Sequence, residues 1–201
     1  MKRGHLTLTA FGCVLAAAAC GEAHSKPAPH AAAAAYVDSA LPIQELLRRF
    51  RADLAAAPAG LTNGAPSRDA LVARFVAALE HADTIALEGL AIDRAEFAYL
   101  YYPDSPLSRP PYELAPGLMW FQLQGNSRKG ALSALRLRGG RPLGVIGYRC
   151  DEPAQTQGEN RVWSRCEVRH RWGDTTLSER LFGGIIERGG RYKLLGYANG
   201  L

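Results

Sequence analysis

A glycine pair set between two alternating runs constrains this chain more than any other stretch. In Glu187-Arg188-Gly189-Gly190-Arg191-Tyr192 the two glycines can take the positive φ values of a two-residue hairpin turn. Turning there sets Arg188 opposite Arg191, Glu187 opposite Tyr192, Ile185 opposite Leu194, Gly183 opposite Gly196 and Leu181 opposite Ala198. Upstream, β-branched and aromatic alternation with Gly-rich turns predicts strands over roughly 143–150, 161–171 and 174–188, with 191–199 as the last. On the final hairpin Leu181, Ile185, Leu194 and Ala198 share one face, and Phe182, Ile186, Leu195 and Tyr197 the other. Both faces are partly apolar. Such a sheet must curl around an interior, meet another subunit, or take helices on both sides.

The other end of the chain is not part of that domain. Met1-Lys2-Arg3 is a basic opening, and Leu6 to Ala19 is a short, mostly apolar run rich in small residues. This has the form of an export signal rather than a permanent membrane span. The run Leu15-Ala16-Ala17-Ala18-Ala19-Cys20 resembles a bacterial lipoprotein lipobox, with Ala17 where that motif prefers Leu. The resemblance implies lipidation of Cys20 and anchoring on the periplasmic side of a membrane, through the lipid alone. Ordinary cleavage after an Ala-x-Ala site would instead release a soluble periplasmic or secreted protein. The expected division is a signal over 1–20, a flexible Ala/Pro/His tether over 21–36, and a single α+β domain over 37–201.

Of the four cysteines, Cys13 lies inside the apolar signal and Cys20 ends it, which leaves Cys150 and Cys166 for the domain. An even pair in an exported chain suggests a disulfide. A hairpin centred near Gly158 would set Cys150 opposite Cys166, within bridging distance. Two separate buried thiols, or redox or metal chemistry, are the other readings. The spacing is not Cys-x-x-Cys, and no histidine cluster flanks it.

Helices precede the strands. Leu41, Ile43, Leu46, Leu47, Phe50 and Leu54 form an apolar stripe that predicts a helix from about 37 to 54. Ser67 is placed to cap a second helix with Leu71, Val72, Phe75, Val76 and Leu79 on its buried face, and Asp83 a short third through Leu90. Asp93 and Glu96 have the spacing of a capping box. Prolines at 103, 106, 110 and 111 mark a stiff loop. Two further helices are expected, at about 113–125, apolar enough to be buried on several sides, and at 129–138. The fold class expected is therefore α+β: N-terminal helices packed on a curved four-stranded antiparallel C-terminal sheet.

The helix pair Ser67–Ala82 and Thr84–Leu90 before that sheet, with the phrase Phe75-Val76-Ala77-Ala78-Leu79-Glu80-His81-Ala82-Asp83, resembles the NTF2-like/SnoaL-like α+β cone. The resemblance covers about residues 67–199 and is one of architecture, without a specific motif. A cystatin-like fold is the nearest competitor. NTF2-like proteins include small-molecule isomerases, hydrolases, assembly modules and noncatalytic binding domains.

Charge does not point to nucleic acid. Without Lys2 and Arg3 the chain carries 22 basic against 19 acidic residues, spread through helices and strands with no aromatic–basic motif. A surface this mildly basic is in the first place a solvated one. No nucleophile elbow, His-Glu-x-x-His, P-loop or dinucleotide fingerprint occurs, so no cofactor, metal or catalytic residue is expected. The candidate ligand-binding residues are Tyr99, Tyr102, Asp104 and Arg109 around the Pro-rich loop, with Arg149, Trp163, Glu167 and His170 on the strands. Each has a plainer role: tyrosines stitching a loop to the core, an Arg–Glu ladder facing water, an ordinary buried tryptophan. The reading is a noncatalytic envelope domain binding a small ligand or a protein partner, with possible homodimerisation through the outer sheet face. The alternatives are a cofactor-free isomerase or hydrolase, built from residues such as Tyr102, Asp104, Arg149, Glu167 and His170, and a structural assembly module.

Overall fold

A computed structural model describes residues 41–54 and 56–199. The expected export signal with Cys20, the expected tether and the first residues of the expected opening helix lie outside that range. Within it the chain is mixed α+β, with five helices and two antiparallel sheets among the described residues. No described helix is long and apolar enough to cross a membrane.

The helices begin where local chemistry supplies caps. Helix α1 (Ile43–Arg51) follows Pro42, whose missing N–H costs nothing at a helix start. In α2 (Arg68–Glu80) the Ser67 side chain accepts from the Ala70 N–H, and in α3 (Thr84–Leu90) Asp83 accepts from Ala86. Asp93 and Glu96 form the expected reciprocal box around the single turn α4 (Arg94–Glu96). The chain then widens into a π-helical turn over Phe97–Tyr101 and tightens into 3₁₀ turns at Tyr102–Asp104 and Pro106–Ser108. Proline at 103 and 106 cannot continue an α-helical ladder.

Two helices were expected between 113 and 138; one is present. Helix α5 (Pro116–Arg138) runs unbroken for 23 residues. Gly125 and Gly130 lower its intrinsic propensity by about 1 kcal/mol each. Tertiary packing outweighs this, because Met119 and Ala134 bury in two different clusters along the same helix. Nor is the first half of α5 buried on several sides: Leu118 is 48% and Phe121 73% exposed.

The single curved sheet is likewise replaced by two sheets that do not curl. Strands β1 (Val145–Arg149), β4 (Glu167–Trp172) and β5 (Thr175–Glu179) form one, in the order β1-β4-β5. Strands β2 (Gln155–Gln157), β3 (Asn160–Trp163), β6 (Ile185–Arg188) and β7 (Arg191–Leu194) form the other, in the order β2-β3-β6-β7. The two middle strands expected from the sequence, 161–171 and 174–188, are each cut and shared between the sheets. The 161–171 run breaks at Ser164–Cys166, where Arg165 takes a left-handed φ of 45°. The 174–188 run breaks between Glu179 and Ile185. A Cβ on Gly184 would lie 2.8 Å from the Trp163 carbonyl oxygen, so the neighbouring backbone lies too close for a larger residue.

The registers hold. Glu187 pairs with Tyr192 and Ile185 with Leu194, and Gly189 and Gly190 turn at φ 57° and 74°. The Gly183 N–H donates to Gly196 O at 2.9 Å, extending the same register beyond the strands. Arg149 pairs with Glu167, so one further step sets Cys150 opposite Cys166. These cysteines form a disulfide with Cα atoms 3.9 Å apart. Closing a loop of this size stabilises by about 3 kcal/mol in the chain-entropy account. The bridge is consistent with an oxidising, exported compartment.

The four-stranded sheet is covered on both faces. Trp163, Ile185 and Leu194 join Leu71, Phe75, Leu79, Phe182 and Tyr197 in one core. Val162 and Ile186 join Leu47, Phe97, Tyr102 and Met119 in the other. The Phe75 and Phe182 rings meet edge to face at 5.1 Å. The expected face assignment fails beyond Gly183 and Gly196: Leu181, Phe182 and Tyr197 all enter the first core, because the chain there is no longer a strand.

Candidate functional site

A groove of about 570 Å³ lies between α3 and α5. Leu87, Ile92, Leu195 and Tyr197 line it, together with Trp120, Leu123, Ala131 and Leu135 from α5. Its polar residues include Glu88, Asp93, Arg94, Gln124, Ser127 and Arg128.

Local chemistry fixes this geometry from one segment, 197–199. The Tyr197 N–H donates to Ser127 Oγ at 3.1 Å, and its phenol donates to the Leu87 carbonyl at 2.6 Å. One residue therefore ties the end of the chain to α5 and to α3. Burial pushes the Tyr197 phenol well above its ordinary range, so it stays a neutral donor. Asn199 Nδ2 donates to Gly130 O at 2.8 Å. A Cβ on Gly130 would fall 1.5 Å from Tyr197 O, so the missing side chain is what admits this segment.

The groove's cations differ in commitment. Arg94 pairs with Asp53 at 3.0 Å and lies over the Phe50 ring at 4.6 Å. Arg128 makes no ion pair among the described residues. An apolar cleft with a few polar groups is the usual form of a small-ligand site.

None of the residues singled out from sequence lines this groove. Tyr102 is buried in the second core, with its hydroxyl donating to Leu114 O at 2.7 Å. Tyr99 lies under the Arg51 guanidinium, 4.4 Å from ring centre to Cζ. Asp104 pairs with Arg109 at 3.3 Å and packs on Gly158, where a Cβ would lie 2.0 Å from Oδ2. Trp163 is buried; its indole N–H points at both Glu152 oxygens at 3.2 Å, and Arg68 covers the ring. Arg149 and Glu167 are register partners on the exposed face of the three-stranded sheet. His170 occupies the opposite, buried face of the same strand. The structure thus brings together Asp104 with Arg109, and Arg149 with Glu167.

His170 does have polar company that sequence reading did not pair with it. Its Nε2 is 2.8 Å from Glu179 Oε2, and Glu179 also accepts both Nε and Nη2 of Arg138. The Arg138 guanidinium, ahead of the His170 contact, holds the Glu179 carboxyl below its ordinary range. The other ring nitrogen of His170 faces Arg171 O at 3.2 Å. His170 is fully buried, with both ring nitrogens engaged within the fold.

A second buried ion pair also escaped the sequence. Lys193 Nζ meets Glu96 Oε2 at 2.8 Å, and Glu96 further accepts from Thr62 N, Thr62 Oγ1 and Asp93 N at 2.7–2.9 Å. The available signal was Lys193 at the position opposite Ile186 in a sheet with two apolar faces. Comparison with protein-family models, curated proteins and solved structures finds no match.

Proposed function

We propose that this is a noncatalytic binding domain of the bacterial cell envelope, held at the periplasmic side by a lipid on Cys20. It takes the apolar part of a small amphipathic ligand into the α3–α5 groove. The observation that carries this reading is the groove itself: an apolar lining from two helices and the chain end, with polar groups at Gln124, Arg128 and Glu88. No cysteine or histidine lines it, and Ser127 Oγ already serves the Tyr197 backbone. Binding therefore fits the site better than acid–base or nucleophilic chemistry.

Trp120 lies in the groove lining, so an apolar ligand should change its fluorescence. Titration of the protein with a medium-chain fatty acid is expected to give a saturable change that Trp120→Phe removes. Ala131→Trp, which fills the groove, should abolish binding while leaving the melting temperature nearly unchanged. Absence of saturable binding, or undiminished binding by Ala131→Trp, would refute the proposal.

A protein partner is the second reading. Leu118 and Phe121 of α5 are exposed apolar side chains one helical turn apart.

A further inference from the structure

We propose that the outer face of the three-stranded sheet docks on the headgroups of an anionic phospholipid bilayer. In β4 the buried Val168 and His170 alternate with exposed Glu167, Arg169 and Arg171. Strand β1 sets Arg149 beside Glu167, while β5 sets Ser178 beside Arg169 and Thr176 beside Arg171. Three guanidiniums thus share one side of two paired strands, with hydroxyls from the third strand next to them. Strand spacing places such neighbours about 5–7 Å apart. Elsewhere Arg68, Arg94, Arg138 and Arg188 are each matched to a carboxylate. Among the described residues Arg149, Arg169 and Arg171 form no ion pair. The carboxylates that share or border the face are Glu167 and Asp174.

The arrangement favours a planar surface over a single small anion. Register spreads the three arginines over one face of a sheet that does not curl. One apolar side chain adjoins them. Ile146, at the bulge in β1, is 46% exposed. Arginine suits phosphate through paired N–H donors. The inference is independent of the α3–α5 groove. It adds a membrane contact through protein side chains to the one expected through lipid.

The test uses the full chain with Cys20→Ala, so that no acyl chain can anchor it. Vesicles of phosphatidylglycerol with phosphatidylcholine are compared with pure phosphatidylcholine by co-sedimentation. Association is expected to rise with the phosphatidylglycerol fraction and to fall at high salt. Arg149→Gln/Arg169→Gln/Arg171→Gln in the same background should lower it on the order of 100-fold. The corresponding triple lysine variant should retain most of it, because the bilayer field acts on charge. Arg48→Gln/Arg49→Gln/Arg74→Gln, remote from this sheet, should leave it unchanged. Should the triple glutamine variant fail to fold, Arg149→Gln/Arg171→Gln is expected to lose on the order of 10-fold. Equal binding by the glutamine variants, equal binding to both vesicle types, or retention on immobilised polyphosphate with none on vesicles would each overturn the proposal.

Discussion

Lys193 and Glu96 place two opposite charges inside the second core, 5% and 0% exposed at their side chains. Taking both from water is costly, and their mutual attraction offsets the cost only because Glu96 is surrounded by donors. Three of its four hydrogen bonds come from Thr62 and Asp93, which anchor the 61–65 loop and the start of α4. Removing one charge strands the other. Glu96→Gln is expected to lower unfolding free energy by about 3–5 kcal/mol, and Lys193→Met by a similar amount. In urea denaturation the double variant should lose much less than the sum of the two. Additive losses would mean that the charges are not coupled.

At the scale of elements, α5 shows what a glycine means in two settings. At Gly125 an added Cβ meets nothing within 4 Å, whereas at Gly130 it would enter the Tyr197 carbonyl. Gly125→Ala should therefore stabilise by about 1 kcal/mol through helix propensity. Gly130→Ala should destabilise by about 1–3 kcal/mol by driving residues 197–199 off the helix. Thermal melts that move in the same direction would contradict this account. Sequence could not separate the two glycines, and the helices expected at about 113–125 and 129–138 left a gap where α5 is continuous. Legibility elsewhere followed the range of the interaction. Ser67, Asp83 and the Asp93–Glu96 box act within four residues, and the Gly189-Gly190 turn and the Cys150–Cys166 register act between neighbouring strands, so all could be read from spacing. The division into two sheets depends on Arg165 and on the backbone packed against Gly184, contacts that no alternation pattern encodes. The α3–α5 groove was hidden for the same reason: Leu87, Trp120 and Tyr197 meet only after the chain end docks on Gly130.

Across the whole molecule, Glu179 joins α5 to the three-stranded sheet by binding Arg138 from the helix and His170 from β4. The folded carboxyl titrates below its ordinary 4.5 because Arg138 holds it ionised. The unfolded chain therefore binds that proton first. The resulting stability is complete above the ordinary range and is lost as pH falls through the depressed folded value. Glu179→Gln should be less stable than wild type near neutrality and should show a shallower loss of melting temperature below about pH 4.5. An unchanged acid limb would detach this carboxylate from acid sensitivity.

Ile185 and Ile186 are consecutive, yet one belongs to each core. A frame error of one position in strand pairing would thus exchange the lining of both interiors at once, bringing Lys193 round to where Leu194 belongs. Few misfolded compact forms can come near the native one in energy when two interiors must go wrong together, so accuracy of assembly is written into a single dipeptide.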